Sequence, residues 1–162
     1  MNEIILETET FIVDVPEKPF VDRKDGGHLR VMSKVKVKDR TELTYDQTIE
    51  YALLSEVVGK GLELGMYKNG VEIGNVNWQE MGNWSVFKPE GITLHMHIFG
   101  RAIEAQTQKY GEAVLLPFRE TGFYDSFESL SDKDVTFIKA EFVQLLKLEK
   151  YATLATKVVK LI

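Results

Sequence analysis

Between Ile92 and Arg101 the chain alternates. Leu94, Met96 and Ile98 fall on one side of an extended strand, and Thr93, His95 and His97 on the other. This predicts a half-buried strand over 92–99. A second alternating run starts at His28: Leu29, Val31, Val35 and Val37 share one face with Ser33 between them. His28, Arg30, Met32, Lys34, Lys36 and Lys38 take the other, giving a strand over 28–37. Residues 10–15 read as a short β-branched and aromatic strand ended by Pro16, and Asn69-Gly70 is a turn that leads into a strand over 71–77. Thr44-Tyr45-Asp46-Gln47 has the spacing of a capping box and opens a helix over 45–64. Ile49, Leu53, Val57 and Leu64 fall near one face of that helix, with Ala52 beside them. Gly59 and Gly61 each weaken it by about 1 kcal/mol relative to alanine, and Gly65 is its expected stop. Ser131-Asp132-Lys133-Asp134 opens a second helix with Val135, Ile138, Phe142 and Leu145 or Leu146 as its apolar stripe. Residues 113–117 fit a short strand or a buried loop. The apolar tail from Tyr151 fits a continued helix, packing on the sheet, or contact with a partner chain.

At 162 residues the length fits a single domain with a real core, residues 1–162, of ordinary soluble composition. The net charge of −5 disfavours general adhesion to nucleic acid or to anionic membranes, so neither is an expected partner. The absence of cysteine excludes a disulfide framework, a thiolate nucleophile and a zinc-thiolate site. The first residues are acidic, without a secretory pattern, and no apolar run approaches a membrane span, so the cytoplasm is the expected compartment. The chemistry on offer is imidazole. His95 and His97 stand ~7 Å apart along one strand face, and the third histidine, His28, sits at the mouth of another strand. A half-buried strand with two solvated histidines is the plain alternative. Lys36 and Lys38 read as a solvated stripe, whereas His28 and Arg30 are site candidates.

Three stretches, in this order and spacing, resemble the histidine triad (HIT) family. Gly27-His28-Leu29-Arg30-Val31-Met32-Ser33-Lys34 is similar to the family's histidine-led strand. Asn77 followed by Gly82 resembles its Asn-x-Gly…Gly-Gln loop, and Leu94-His95-Met96-His97-Ile98-Phe99-Gly100-Arg101 resembles the end of its alternating-histidine signature. The likeness covers residues 8–103; the C-terminal part, a helical extension over 131–162, has no such support. It implies an α+β fold, an antiparallel sheet with helices packed mainly on one face, and a homodimer. It also implies a nucleotide hydrolase or nucleotidyl transferase acting at the α-phosphorus of a nucleoside phosphate conjugate or dinucleoside polyphosphate.

Carried over residue by residue, His95 is the nucleophile that forms a nucleotidyl-histidine, and His97 hydrogen-bonds a phosphate or leaving-group oxygen. His28 orients the pair, Asn77 and Asn83 help place the nucleotide, and Ser85 touches its phosphate. No cofactor or protein-bound metal is required; a divalent cation would come only with the substrate phosphates. The chain departs from the family where Thr93 stands for the first triad histidine, where the hydroxyl is expected to fix the tautomer of a neighbouring imidazole. The second glycine and the glutamine of the loop are missing, and Phe87 to Gly91 reads as an insertion lengthening the lip of the pocket. Trp78 and Trp84 are candidates for stacking a nucleobase or for plain packing. Two other readings compete: a nucleotide-binding or regulatory protein of the same fold without turnover, and a metal site built from the three histidines and a carboxylate.

Overall fold

A computed structural model describes residues 3–89 and 91–161. Glu90 of the predicted insertion and Ile162 of the tail lie outside them, as do Met1 and Asn2. Six strands form one antiparallel sheet: β1 (Glu3–Thr8), β2 (Phe11–Val15), β3 (His28–Ser33), β4 (Ile73–Glu80), β5 (His95–Ala102) and β6 (Val158–Leu161). Their spatial order is β4-β5-β3-β2-β1-β6. Three helices complete the α+β fold: α1 (Tyr45–Lys68), α2 (Asp132–Leu145) and the short α3 (Ala152–Ala155). The tail turns out to end as β6 on the outer edge of β1, rather than as a continued helix. Residues 113–118 carry no regular structure.

One face of the sheet is apolar and carries the helices. Leu29 and Val31 of β3 meet Met96 and Ile98 of β5 there, under Leu54, Val57, Val58 and Leu62 of α1. This burial follows from the strand alternation, because each register pair puts both side chains on the same side. The helix α1 opens with the capping box of Thr44 and Gln47, and α2 with that of Ser131 and Asp134.

Two expectations for α1 are corrected. Its buried stripe runs through Tyr51, Leu54, Val57, Val58, Leu62 and Met66, while Ala52 is exposed and Ile49, Leu53 and Leu64 are only half-buried. The helix also passes through Gly65 instead of stopping there. The cause is a second contact surface. A Cβ on Gly61 would lie 2.4 Å from the Phe142 ring, and one on Gly65 would lie 2.7 Å from the backbone of Ile138. The glycines thus open a groove for α2, so α1 is buried over a wider arc than a single stripe. On β3 the ladder ends at Ser33, short of the predicted 37, and Lys34 turns away to Glu7.

Gly65→Ala tests this packing against helix propensity. Propensity alone favours alanine by about 1 kcal/mol, whereas overpacking against an unyielding backbone costs about 1–3 kcal/mol. Urea denaturation should show the variant to be the less stable protein. A gain in stability would mean that α2 gives way freely at Ile138.

Candidate active site

The opposite face of the sheet is polar along β3 and β5 and forms the floor of a cleft of about 510 Å³. Register fixes what meets there: Arg30 lies opposite His97, Met32 opposite His95, and His28 opposite Phe99. His28, His95 and His97 all line the cleft. Phe20 packs against them, its ring centroid 5.6 Å from that of His28 and 5.3 Å from that of His97.

Hydrogen bonds set the protonation of each ring. The backbone N–H of Phe20 donates to His28 Nδ1 at 3.1 Å, so that nitrogen carries a lone pair and the hydrogen sits on Nε2. His28 Nε2 is 2.9 Å from His97 Nδ1 and donates to it. The hydrogen of neutral His97 is therefore on Nε2. His95 Nδ1 lies 2.8 Å from the carbonyl of Thr93, which only accepts, so Nδ1 bears the hydrogen. In the neutral ring this leaves the lone pair on His95 Nε2. Burial and the neighbouring positive groups keep the inner two rings uncharged. His28 is held well below the usual imidazole range, by burial first and then by His97 and Arg30. His97 is pushed down to about 3, by burial first and then by His95, Arg30 and Arg119.

Thr93 falls outside the strand, which starts at His95, and its carbonyl rather than its hydroxyl fixes the imidazole. Asn83 and Ser85, on a 3-10 turn, line the cleft, as does Trp84. Asn77 does not belong to the cleft lining. It pairs opposite Phe99, deeper along the sheet, and its Oδ1 accepts from Arg101 Nη1 at 3.0 Å. Trp78 is on the helix side, where its Nε1 donates to the Ser55 carbonyl and its ring covers Gly59. Among the described residues no three of His, Cys, Asp and Glu gather as metal ligands.

Neither alternation nor motif pointed to what covers the cleft. Residues 103–130 run back across this face as a strap without strands. Asp25 accepts the backbone N–H groups of Gln106, Thr107 and Gln108 at 2.7–3.0 Å. Arg101 Nη2 donates to the carbonyls of Gln108, Lys109 and Glu112. Gln108 ties Leu115 and the Phe20 carbonyl together. The strap delivers Arg119 to the cleft, and Phe118 beside it stacks on Trp84 at 5.6 Å. Lys18, Arg30, Lys88 and Arg119 line the cleft, and among the described residues no carboxylate does. An acidic protein has gathered positive charge at one place. No periodicity could have exposed Arg119, because the strap has none.

The fold is similar to that of solved histidine triad proteins. A histidine triad nucleotide-binding protein from Sulfolobus tokodaii superposes with a TM-score of 0.54 at 18% identity, over 91% of this chain and 87% of that one. A Marinobacter aquaeolei histidine triad protein gives 0.55 at 16% identity, over 89% and 90%. A HIT-like protein of Bartonella henselae involved in cell-cycle regulation gives 0.55 at 11% identity, over 87% of each chain. No protein-family model and no curated protein matches the sequence.

The neutral inner histidines predict a pH signature. Both bind protons less readily folded than unfolded, where the value is near 6.5. As pH falls below that, the unfolded chain takes up protons first, so stability is full above 6.5 and declines with acid. From pH 7 to pH 5 His97 alone should cost about 2 kcal/mol of unfolding free energy. Denaturant titrations at both pH values should show His97→Gln losing less between them than the native chain. An unchanged pH slope would mean that His97 is charged in the fold.

Proposed function

We propose that the protein is a nucleotide hydrolase or nucleotidyl transferase that works through a nucleotidyl-histidine on His95. The observation that carries this is the bond from His95 Nδ1 to the Thr93 carbonyl, which leaves the Nε2 lone pair available in a cationic cleft. In the first step His95 Nε2 attacks the α-phosphorus. A P–N bond forms, the bond to the leaving group breaks, and its electron pair departs with that group. In the second step water attacks the phosphorus, the P–N electron pair returns to Nε2, and the water proton passes to solvent. His97 donates its Nε2–H to a phosphoryl oxygen as charge develops there, and His28 holds His97 in that tautomer. Asn83 and Ser85 flank the phosphates, and Trp84 is positioned for the base. These bond changes use the chain's own side chains, the substrate and water, and a divalent cation would accompany the substrate phosphates. A homodimer in the cytoplasm belongs to the same reading.

A second reading, nucleotide binding without turnover, is favoured by Thr93, whose side chain supplies no imidazole where the fold's relatives are named for three. Chemistry separates the two. His95→Ala should abolish hydrolysis of a dinucleoside polyphosphate while nucleotide binding persists. His97→Ala should slow it by the equivalent of about 3 kcal/mol. Thr93→Val, which keeps the carbonyl, should leave the rate within about twofold, since the hydroxyl makes no hydrogen bond among the described residues. Native enzyme quenched in alkaline denaturant should carry a base-stable, acid-labile nucleotidyl adduct on His95. Full activity in His95→Ala would end the covalent mechanism, and native protein that binds but never hydrolyses would leave the second reading standing.

A further inference from the structure

The four cations of the cleft are not equivalent. Arg30 is neutralised: its Nε and Nη2 reach both oxygens of the buried Asp14 at 2.9 and 2.5 Å. Lys18 and Lys88 are exposed on the rim. Arg119 is half-buried, and no carboxylate pairs with it among the described residues. It is held by other means. Its guanidinium carbon lies 4.4 Å from the centroid of Phe20 and 5.3 Å from that of Tyr124, and Nη2 donates to the Lys18 carbonyl at 2.8 Å. Burial and the nearby Arg30 make its charged form harder to keep than usual. A fixed, partly desolvated guanidinium with no carboxylate partner in a ligand cleft is suited to receiving an anion.

Its position says which anion. Phe20 is the ring that His28 and His97 also touch, and Arg119 packs on that ring with no hydrogen bond to either imidazole among the described residues. On the proposed function the imidazoles attend the α-phosphoryl group, which leaves Arg119 free to meet the phosphate next to it. The tautomer of His97 agrees. It is a neutral donor, suited to a hydrogen bond and poorly suited to giving a full proton to a departing amine. A phosphate needs no such proton.

We propose that Arg119 contacts the departing part of the substrate, and that this part is a phosphate chain, so the preferred substrates are nucleoside polyphosphates rather than nucleoside phosphoramidates. This rests on the function proposed above. As the P–N bond to His95 forms, the bridging P–O bond breaks with its electron pair on the departing phosphate oxygen. Arg119 meets that added charge.

The test compares diadenosine tetraphosphate with adenosine 5′-phosphoramidate as substrates of the full chain. The native protein should favour the tetraphosphate in kcat/KM. Arg119→Gln should lose about thirtyfold on the tetraphosphate and less than about threefold on the phosphoramidate, and Arg119→Lys should recover part of the loss. Calorimetry with inorganic tripolyphosphate should show binding that weakens about tenfold in Arg119→Gln. Equal losses on both substrates would overturn the proposal, since they mark a contact to the α-phosphate or a structural role; so would no loss at all. If the native chain hydrolyses neither substrate, it is the proposed function that fails. The tripolyphosphate arm then decides alone: binding that depends on Arg119 keeps the polyphosphate contact, and binding indifferent to it removes that contact.

Discussion

One hydrogen bond governs the protonation of the inner pair of histidines. A backbone N–H cannot accept, so the donation from Phe20 to His28 Nδ1 fixes where the His28 hydrogen lies, and His28 in turn fixes His97. Were Phe20 to shift, both rings could exchange tautomers, and His97 would present a lone pair to the cleft instead of a donor. The segment that holds Phe20 is therefore as much a part of the site as the strand that holds the histidines. Pro19 and the tie from Gln108 to the Phe20 carbonyl keep it in place.

The sheet divides two tasks between its faces. On the helix side, close packing of α1 on β3 and β5 and of α2 on the glycines of α1 fixes the strands. On the cleft side there is little close packing around His95, and the one compact cluster, Phe20, Val21, Phe99 and Tyr124, shields only the inner imidazoles. His97 is kept dry while His95 is left accessible. Neutrality in the buried ring and access at the attacking one are both consequences of where that small cluster ends.

What could be read from the sequence was what depends on period. The alternation over 94–98 put His95 and His97 on one face, and the capping boxes located the starts of both long helices. The misreadings have equally physical causes. Gly65 looked like a stop because a glycine in a helix costs propensity; the compensating contact with Ile138 is made by a residue far along the chain. Asn77 looked like a site residue because it precedes a glycine loop, but register carries it past the cleft to Arg101. Thr93 was given a role through its side chain, and its carbonyl makes the contact instead. The strap was illegible because it is held by Asp25 and Arg101 through main-chain groups, which leave no trace in residue type.

That mode of attachment has an evolutionary consequence. Because Asp25, Arg101 and Gln108 grip the strap largely by its backbone, the side chains it displays over the cleft owe little to the stability of the fold. Mutation can sample new charges and sizes around position 119 while the histidines beneath stay in register. A scaffold with such a replaceable cover can retain one reaction and drift from one partner molecule to another, much as an antibody framework tolerates new loops.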